Sequence, residues 1–200
     1  MWEVSVIAGE QGFPEYQKYG IINMPLNDFQ SNAKELRKGK IKRKINMLTI
    51  SKANKQDIEE MCLLLQELFD LEKDFSSDWC KQRKGLELII DNPQYGLLLL
   101  LKRDQEVLGM ANLLITISTA LGRKVILLED FIVKKEERRK RLGSYFMEGI
   151  KDLVRKEGYG RIALLADKEN KPAQEFYHTM GFQMSNMDCW RYVFNKKINI

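Results

Sequence analysis

Cysteine and histidine are scarce in this chain of 200 residues. Cys62, Cys80 and Cys189 stand far apart, are odd in number and form no CxxC pair, and His178 is the single histidine. A disulfide framework has no even set of partners here, and a zinc site has too few ligands. No metal is expected. Long apolar runs are missing as well: the longest, Leu97 to Leu101, is strand-sized, against the ~18 residues of a membrane span. The N-terminus carries no basic stretch followed by an apolar one, so no secretory signal is read. These absences together point to a reducing, cytoplasmic setting without a membrane partner. Internal repeats and low-complexity tracts are also missing.

What is present is ordinary for a globular chain: 44% apolar and 30% charged residues. The length suits one domain, or one domain with an extension. The net charge of +5 is unevenly spread, because residues 1–46 hold eight Lys/Arg against five Asp/Glu while the rest is nearly balanced. The run Arg37 to Lys44 reads as a solvated linker, with a nucleic-acid reading beside it that lacks interleaved aromatics. Residues 1–46 therefore form an N-terminal extension, with a short strand around Trp2, Val4, Val6 and Ile7 and a helix-like stretch from Phe29 to Arg37. Residues 47–200 form the domain.

From Met47 the pattern is regular. Leu48 and Ile50 alternate with polar residues as in a strand. Ile58, Met61, Cys62, Leu65, Leu68 and Phe69 share one face of a helix from about Asn54 to Leu71. A second helix covers Asp78 to Ile90 and stops before Asn92-Pro93, since the proline disfavours continuation. Tyr95 to Lys102, Val107 to Thr119 and Lys124 to Val133 are strands joined by short turns, with Gly109 a bulge or close-approach point. A helix runs from Ser144 to Lys156 and ends at Gly158. Ile162 to Ala166 reads as a central, fully buried strand. A helix from Asn170 to Met180 has Pro172 in its first turn. Phe182 to Phe194 reads as a final strand region, broken near Asn186-Met187-Asp188. The fold class is α/β, with a mixed, mostly antiparallel central sheet and helices on both faces.

The strand to Val133 carries one acidic pair, Glu129-Asp130, and feeds a basic turn, Arg138-Arg139-Lys140-Arg141-Leu142-Gly143, at a helix start. Free backbone N–H groups and the positive end of a helix dipole meet there, which suits an anion. Gly143 lets a ligand approach the backbone, and Ser144 either caps the helix or donates to a phosphate. Further on stands Asn170-Lys171-Pro172-Ala173-Gln174-Glu175-Phe176-Tyr177-His178-Thr179-Met180-Gly181-Phe182.

These two stretches together resemble the GCN5-related N-acetyltransferase superfamily. Its loop pattern, Gln/Arg-x-x-Gly-x-Gly/Ala, is met by Arg138-x-x-Arg141-x-Gly143, with Arg141 where the family usually has glycine. Its helix pattern, Asn-x-x-Ala-x-x-Phe-Tyr-x-x-x-Gly-Phe, is met at Asn170, Ala173, Phe176, Tyr177, Gly181 and Phe182. The resemblance covers about three quarters of the chain.

The resemblance implies acetyl-CoA as co-substrate, lying between two central strands that start side by side and splay apart. It implies pantetheine contacts along Phe131, Ile132 and Val133. Pyrophosphate contacts would come from Arg138, Arg139, Lys140, Arg141, Leu142, Gly143 and Ser144. Asn170, Ala173 and Tyr177 would complete the cofactor site, Asn170 being an N-cap as well. Tyr177 would be the general acid toward the CoA thiolate; helix spacing alone reads it as a core tyrosine. Glu129 would be the base, or an acid that only orients substrate, with Asp130 on the opposite strand face. Transfer is direct in this family, so no cysteine nucleophile is needed: Cys62 and Cys189 read as core, Cys80 is undecided and His178 reads as surface.

Leu128-Glu129-Asp130-Phe131 and the later Trp190-Arg191 are also similar to the diamine and polyamine branch. A small-molecule primary amine is thus the leading acceptor, ahead of a protein N-terminus or lysine. Glu67, Asp70, Glu72, Asp74 and Asp78 form an acid cluster that either attracts a cation or is a solvated helix end. Two other readings are a nucleic-acid-associated protein and a non-catalytic acetyl-CoA sensor. Nucleic acid is not the expected partner, and a homodimer is compatible with the chain.

Overall fold

The computed structural model describes residues 47–71, 76–192 and 194, together with the backbone of 22–24. It divides into two units, one up to Leu164 and one from Leu165 onward. The expected strand at Trp2–Ile7, the helix-like stretch and the basic run Arg37–Lys44 lie outside the described residues.

The first unit is built on a sheet in simple sequence order: β1 (Ile22–Met24), β2 (Leu48–Lys52), β3 (Gly96–Arg103), β4 (Glu106–Ser118), β5 (Arg123–Val133) and β6 (Ile162–Leu164). Neighbours from β1 to β5 are antiparallel, and β5 pairs with β6 in parallel. A parallel pair needs a crossover, and α3 (Leu142–Lys156) lies in that connection. The strand β1 falls in the stretch where glycine and proline punctuation masked any alternation.

One sheet face is covered by α1 (Ile58–Phe69) and α2 (Trp79–Asp91). Met61, Cys62, Leu65 and Leu86 pack there with Leu98, Leu100, Met110 and Ile132 in one buried cluster. Each such side chain contributes ~1.5–3 kcal/mol on leaving water. On the other face Phe146 of α3 meets Phe131, with ring centroids 5.4 Å apart. A Cβ on Gly149 would lie 2.2 Å from Ile50 Cδ1, so the absent side chain lets α3 sit close on β2.

The helix α1 is preceded by a short 3-10 turn, Lys55–Asp57, rather than beginning at Asn54. Asn54 accepts from the Gln56 N–H at 2.8 Å while Asp57 accepts from the Asn54 N–H at 2.9 Å. Asp57 also receives Lys102 Nζ at 2.7 Å, which ties the start of the helix to β3. Gly109 proves to be a close-approach point: a Cβ there would stand 2.6 Å from the Ile132 carbonyl oxygen. The adjacent Leu108 is the extra residue of a bulge, since Leu101 pairs with Gly109 and Lys102 with Val107.

Four expectations are corrected. Ile162–Leu164 is the last strand in the order and half-buried, not a central strand covered on both faces. The helix α3 opens at Leu142, two residues before Ser144, so Ser144 lies in the first turn and does not cap it. Phe182 to Tyr192 forms no strand. Its apolar residues lie open, Met184 at 88% and Trp190 at 92% exposure. A strand needs a partner ladder, and none is formed by these described residues. Cys189 is likewise exposed rather than core.

In the second unit α4 (Lys171–Thr179) is capped by Asn170, which accepts from the Ala173 N–H at 3.1 Å. Gly181, at φ +84°, ends it in the left-handed conformation that glycine adopts without strain.

Candidate active site

The strand β5 has two different edges. Toward β4 it is paired along its whole length; toward β6 it is paired only at Ile126, Leu127 and Leu128. The Lys134 N–H donates to the Leu108 carbonyl at 2.8 Å. Backbone groups alternate in direction along a strand, so the N–H and C=O of Phe131 and Val133 point away from β4. They face an edge that β6, ending at Leu164, does not reach as a strand. On this edge the Val133 carbonyl is taken by Arg138 Nε. Ile132 instead faces β4 with its backbone and the α1–α2 core with its side chain.

The acidic pair sits at a bulge. Asn112 pairs with Asp130 and Leu113 with Leu128, leaving Glu129 as the unmatched residue. A bulge re-aims a side chain, and Glu129 is exposed. Asp130 faces the same side as Ile132, opposite to Phe131, and its Oδ2 accepts from Asn112 Nδ2 at 2.9 Å. Burial pushes the Asp130 carboxyl above the usual range, the Asn112 hydrogen bond opposes that, and the neighbouring Glu129 charge adds to it. The Asn112–Asp130 pair was missed in the sequence. Its one signal was a lone asparagine inside the apolar run Val107–Leu114.

The turn after β5 departs from the picture of four basic side chains converging on an anion. Arg138 Nε donates to the Val133 carbonyl at 2.8 Å, and its guanidinium also pairs with Glu67 of α1. Its N–H is directed at the Lys135 carbonyl at 3.3 Å. Lys140 Nζ lies 3.2 Å from Glu137 Oε1. Glu137 is itself gripped by both terminal nitrogens of Arg103, at 3.2 and 2.8 Å. Arg103 first, and Lys140 with it, hold the Glu137 carboxyl down at about 2. Arg138 and Lys140 are thus engaged within the protein, while the Arg139 and Arg141 side chains are exposed.

Arg141 is the N-cap of α3, at φ 62° and ψ 7° and without a side-chain cap hydrogen bond. This is the left-handed region that glycine occupies freely, and it costs an L-residue about 1–2 kcal/mol. Arg139 shares it at φ 61°. The arginine thus adopts the conformation favoured by the glycine it replaces. The first helical bond runs from the Tyr145 N–H to the Arg141 carbonyl. The first-turn N–H groups of Leu142, Gly143 and Ser144 precede it and have no partner of their own within the helix.

In the second unit, Tyr177 is half-buried between Phe176 and Phe182, with ring centroids 5.4 and 5.8 Å away. Ala173 is held by the Asn170 cap, and His178 is exposed as expected. Of the acid cluster, Glu67 is taken by Arg138, and Asp78 caps α2 by accepting from the Lys81 N–H at 3.1 Å. Asp70 is exposed, and Glu72 and Asp74 lie outside the described residues.

The fold is similar to solved acetyltransferases. A possible acetyltransferase from Clostridium difficile 630 matches with a TM-score of 0.68 at 19% identity, covering 74% of this chain and 98% of that one. A probable acetyltransferase matches at 0.63 and 21%, covering 74% and 99%. An aminoglycoside acetyltransferase, meta-AAC0020 from an uncultured soil metagenomic sample, solved with sisomicin, matches at 0.61 and 13%, covering 74% and 97%. No curated protein sequence matches significantly. The Acetyltransferase (GNAT) family model matches residues 65–182, more than half of the chain. The matched segment takes in the half-open β5, the turn with its left-handed Arg141, and α4 with Tyr177, and the chain belongs to the GNAT family of acetyltransferases.

Proposed function

We propose that the protein acts in the cytoplasm and moves an acetyl group from acetyl-CoA to the primary amine of a small molecule of amino-acid or polyamine type. The observation that carries this reading is the pairing of β5, complete toward β4 but ending at Leu128 toward β6, so that the strand runs on to Val133 beyond its parallel neighbour. A pantetheine arm, with its amides, suits that edge as a substitute strand. The pyrophosphate would then meet the backbone from Arg139 to Ser144 at the positive end of α3, where an anion is favoured. In this reading Arg138 shapes the turn through Glu67 and Val133 instead of binding phosphate with its side chain.

Chemistry follows from protonation. An alkylamine of pKa ~10.4 is neutral in only roughly one molecule in a few thousand at pH 7, so the attacking nitrogen must lose a proton. Glu129, exposed on its bulge, accepts that proton directly or through one water. The nitrogen lone pair then forms the N–C bond at the thioester carbonyl, the C–S bond breaks, Tyr177 gives its proton to the departing thiolate, and the acylated nitrogen gives up its second proton, which restores the tyrosine hydroxyl through water. Asn170 caps α4 seven residues before Tyr177, so it fixes the helix start from which the acid is presented.

The small-amine preference draws on the Leu128-Glu129-Asp130-Phe131 and Trp190-Arg191 likeness, and on the similar fold of an aminoglycoside acetyltransferase solved with sisomicin. The test is release of free CoA thiol from acetyl-CoA against a panel of diamines, amino acids and peptides. Turnover is expected with diamines or amino acids. Turnover with peptides alone would move the acceptor to a protein, and none at all would favour an acetyl-CoA sensor.

A further inference from the structure

Two residues of the turn after β5 occupy the left-handed region without being glycine, Arg139 at φ 61° and Arg141 at φ 62°. Each such position is disfavoured in a free chain by a factor of about 5–30. A turn that keeps two of them needs surrounding contacts that hold it there. Glu137 supplies such contacts. It is 9% exposed, and both of its oxygens receive Arg103, Oε1 from Nη1 at 3.2 Å and Oε2 from Nη2 at 2.8 Å.

Arg103 is a firm anchor, because its position on β3 pairs with Leu48 on one side and Glu106 on the other. Glu137 also receives Lys140, with Nζ 3.2 Å from Oε1, and Lys140 stands between the two left-handed residues. One carboxylate therefore ties the sheet to the middle of the strained segment. Two parallel bonds to a guanidinium fix direction as well as distance. The carboxyl, held down at about 2 by these cations, stays charged at neutral pH. The short 3-10 turn before it closes on a backbone bond, from the Glu137 N–H to the Lys134 carbonyl at 2.9 Å. The clamp acts on the segment that follows.

We propose that Glu137, gripped by Arg103 and holding Lys140, is a positioning residue for acetyl-CoA: it keeps the turn on the left-handed path that presents the backbone N–H groups of residues 139–144 to the pyrophosphate. This rests on the acetyl-transfer reading and deepens it. Glu137 does not touch the cofactor; it acts through the turn. Without the clamp the competent turn is only a fraction of the population, and the apparent affinity falls by that fraction. Glycine enters the left-handed region as readily as the right-handed one, so a turn with glycine at 139 and 141 depends less on the clamp.

The test is a double-mutant cycle on the full chain, read by calorimetric titration with acetyl-CoA. Glu137→Ala is expected to weaken acetyl-CoA binding about tenfold in the parent, and about threefold or less when Arg139→Gly and Arg141→Gly are both present. Denaturant titration accompanies each variant. A merely structural ion pair would lower stability in both backgrounds and leave the affinity alone. Should Glu137→Ala not fold, Glu137→Gln keeps the shape and weakens the grip of Arg103. It is expected to weaken binding about threefold in the parent and less in the glycine background. An equal loss of affinity in both backgrounds, or undiminished affinity in a folded variant of Glu137, would overturn the inference. A parent protein that does not bind acetyl-CoA would instead defeat the acetyl-transfer reading, so the two failures are distinguishable.

Discussion

Arg138 Nε donates to the Val133 carbonyl at 2.8 Å, and the same guanidinium pairs with Glu67, 71 residues earlier in the chain. One side chain thereby joins the end of β5, the turn that follows it and the C-terminal half of α1. The planar guanidinium offers donors in two directions at once, which a lysine ammonium on a flexible stem does less well.

Arg138→Lys is therefore expected to lower stability by about 1–2 kcal/mol, since hydrogen bonds to charged groups contribute in that range and this pair is partly exposed. It is also expected to raise the KM for acetyl-CoA through a loosened turn. Denaturant titration and initial rates check the two parts. A raised KM with unaltered stability would instead mark Arg138 as a phosphate ligand.

Glu137 supplies a pH dependence with a defined sign. Its carboxyl is lowered from 4.5 to about 2, chiefly by Arg103. A group held below its unfolded value contributes stability that is present above about 4.5 and is lost as pH falls toward about 2. Acid unfolding of the parent is expected to steepen within that window, and Glu137→Gln is expected to remove that part of the slope. Chemical denaturation at a series of pH values reads it.

Arg141→Gly removes a side chain from a left-handed backbone position. Relief of the conformational cost, about 1–2 kcal/mol, is partly offset by the greater freedom of glycine in the unfolded chain. The variant is expected to be at least as stable as the parent and to bind acetyl-CoA no more weakly. A marked loss of cofactor affinity would show that the arginine side chain itself contacts the ligand.

Tyr177→Phe keeps the ring packing against Phe176 and Phe182 and removes only the hydroxyl. Turnover is expected to fall by about 10²–10⁴, the usual contribution of a positioned acid, with little change in melting temperature. Unchanged turnover would take the acid role away from Tyr177.

The strand alternation of Leu48–Ile50, the apolar runs of β3 to β5 and the 3.6-residue spacing of α1 and α3 made most of the first unit readable, because each pattern reports one-sided burial. The glycine-like conformation of Arg141 was readable only through the family pattern. The bulge at Glu129 was not readable, since it depends on how β5 registers against β4, a pairing made by residues about 18 apart. Nor could a run of four basic residues reveal that Arg138 turns to Glu67 and Lys140 to Glu137. Asn112 looked like an ordinary polar residue until its neighbours were seen to leave its oxygen without a donor. The expected strand from Phe182 failed because a strand also needs a partner ladder, which local sequence does not reveal.

The central claim is that the open edge of β5 receives acetyl-CoA, and amide hydrogen exchange resolved to single residues tests it most directly. On adding acetyl-CoA, the N–H groups of Phe131 and Val133 should slow strongly, while those of Ile132 and Lys134, already turned toward β4, should change little. Uniform slowing along β5, or none at Phe131 and Val133 in protein shown to bind the cofactor, would contradict the account.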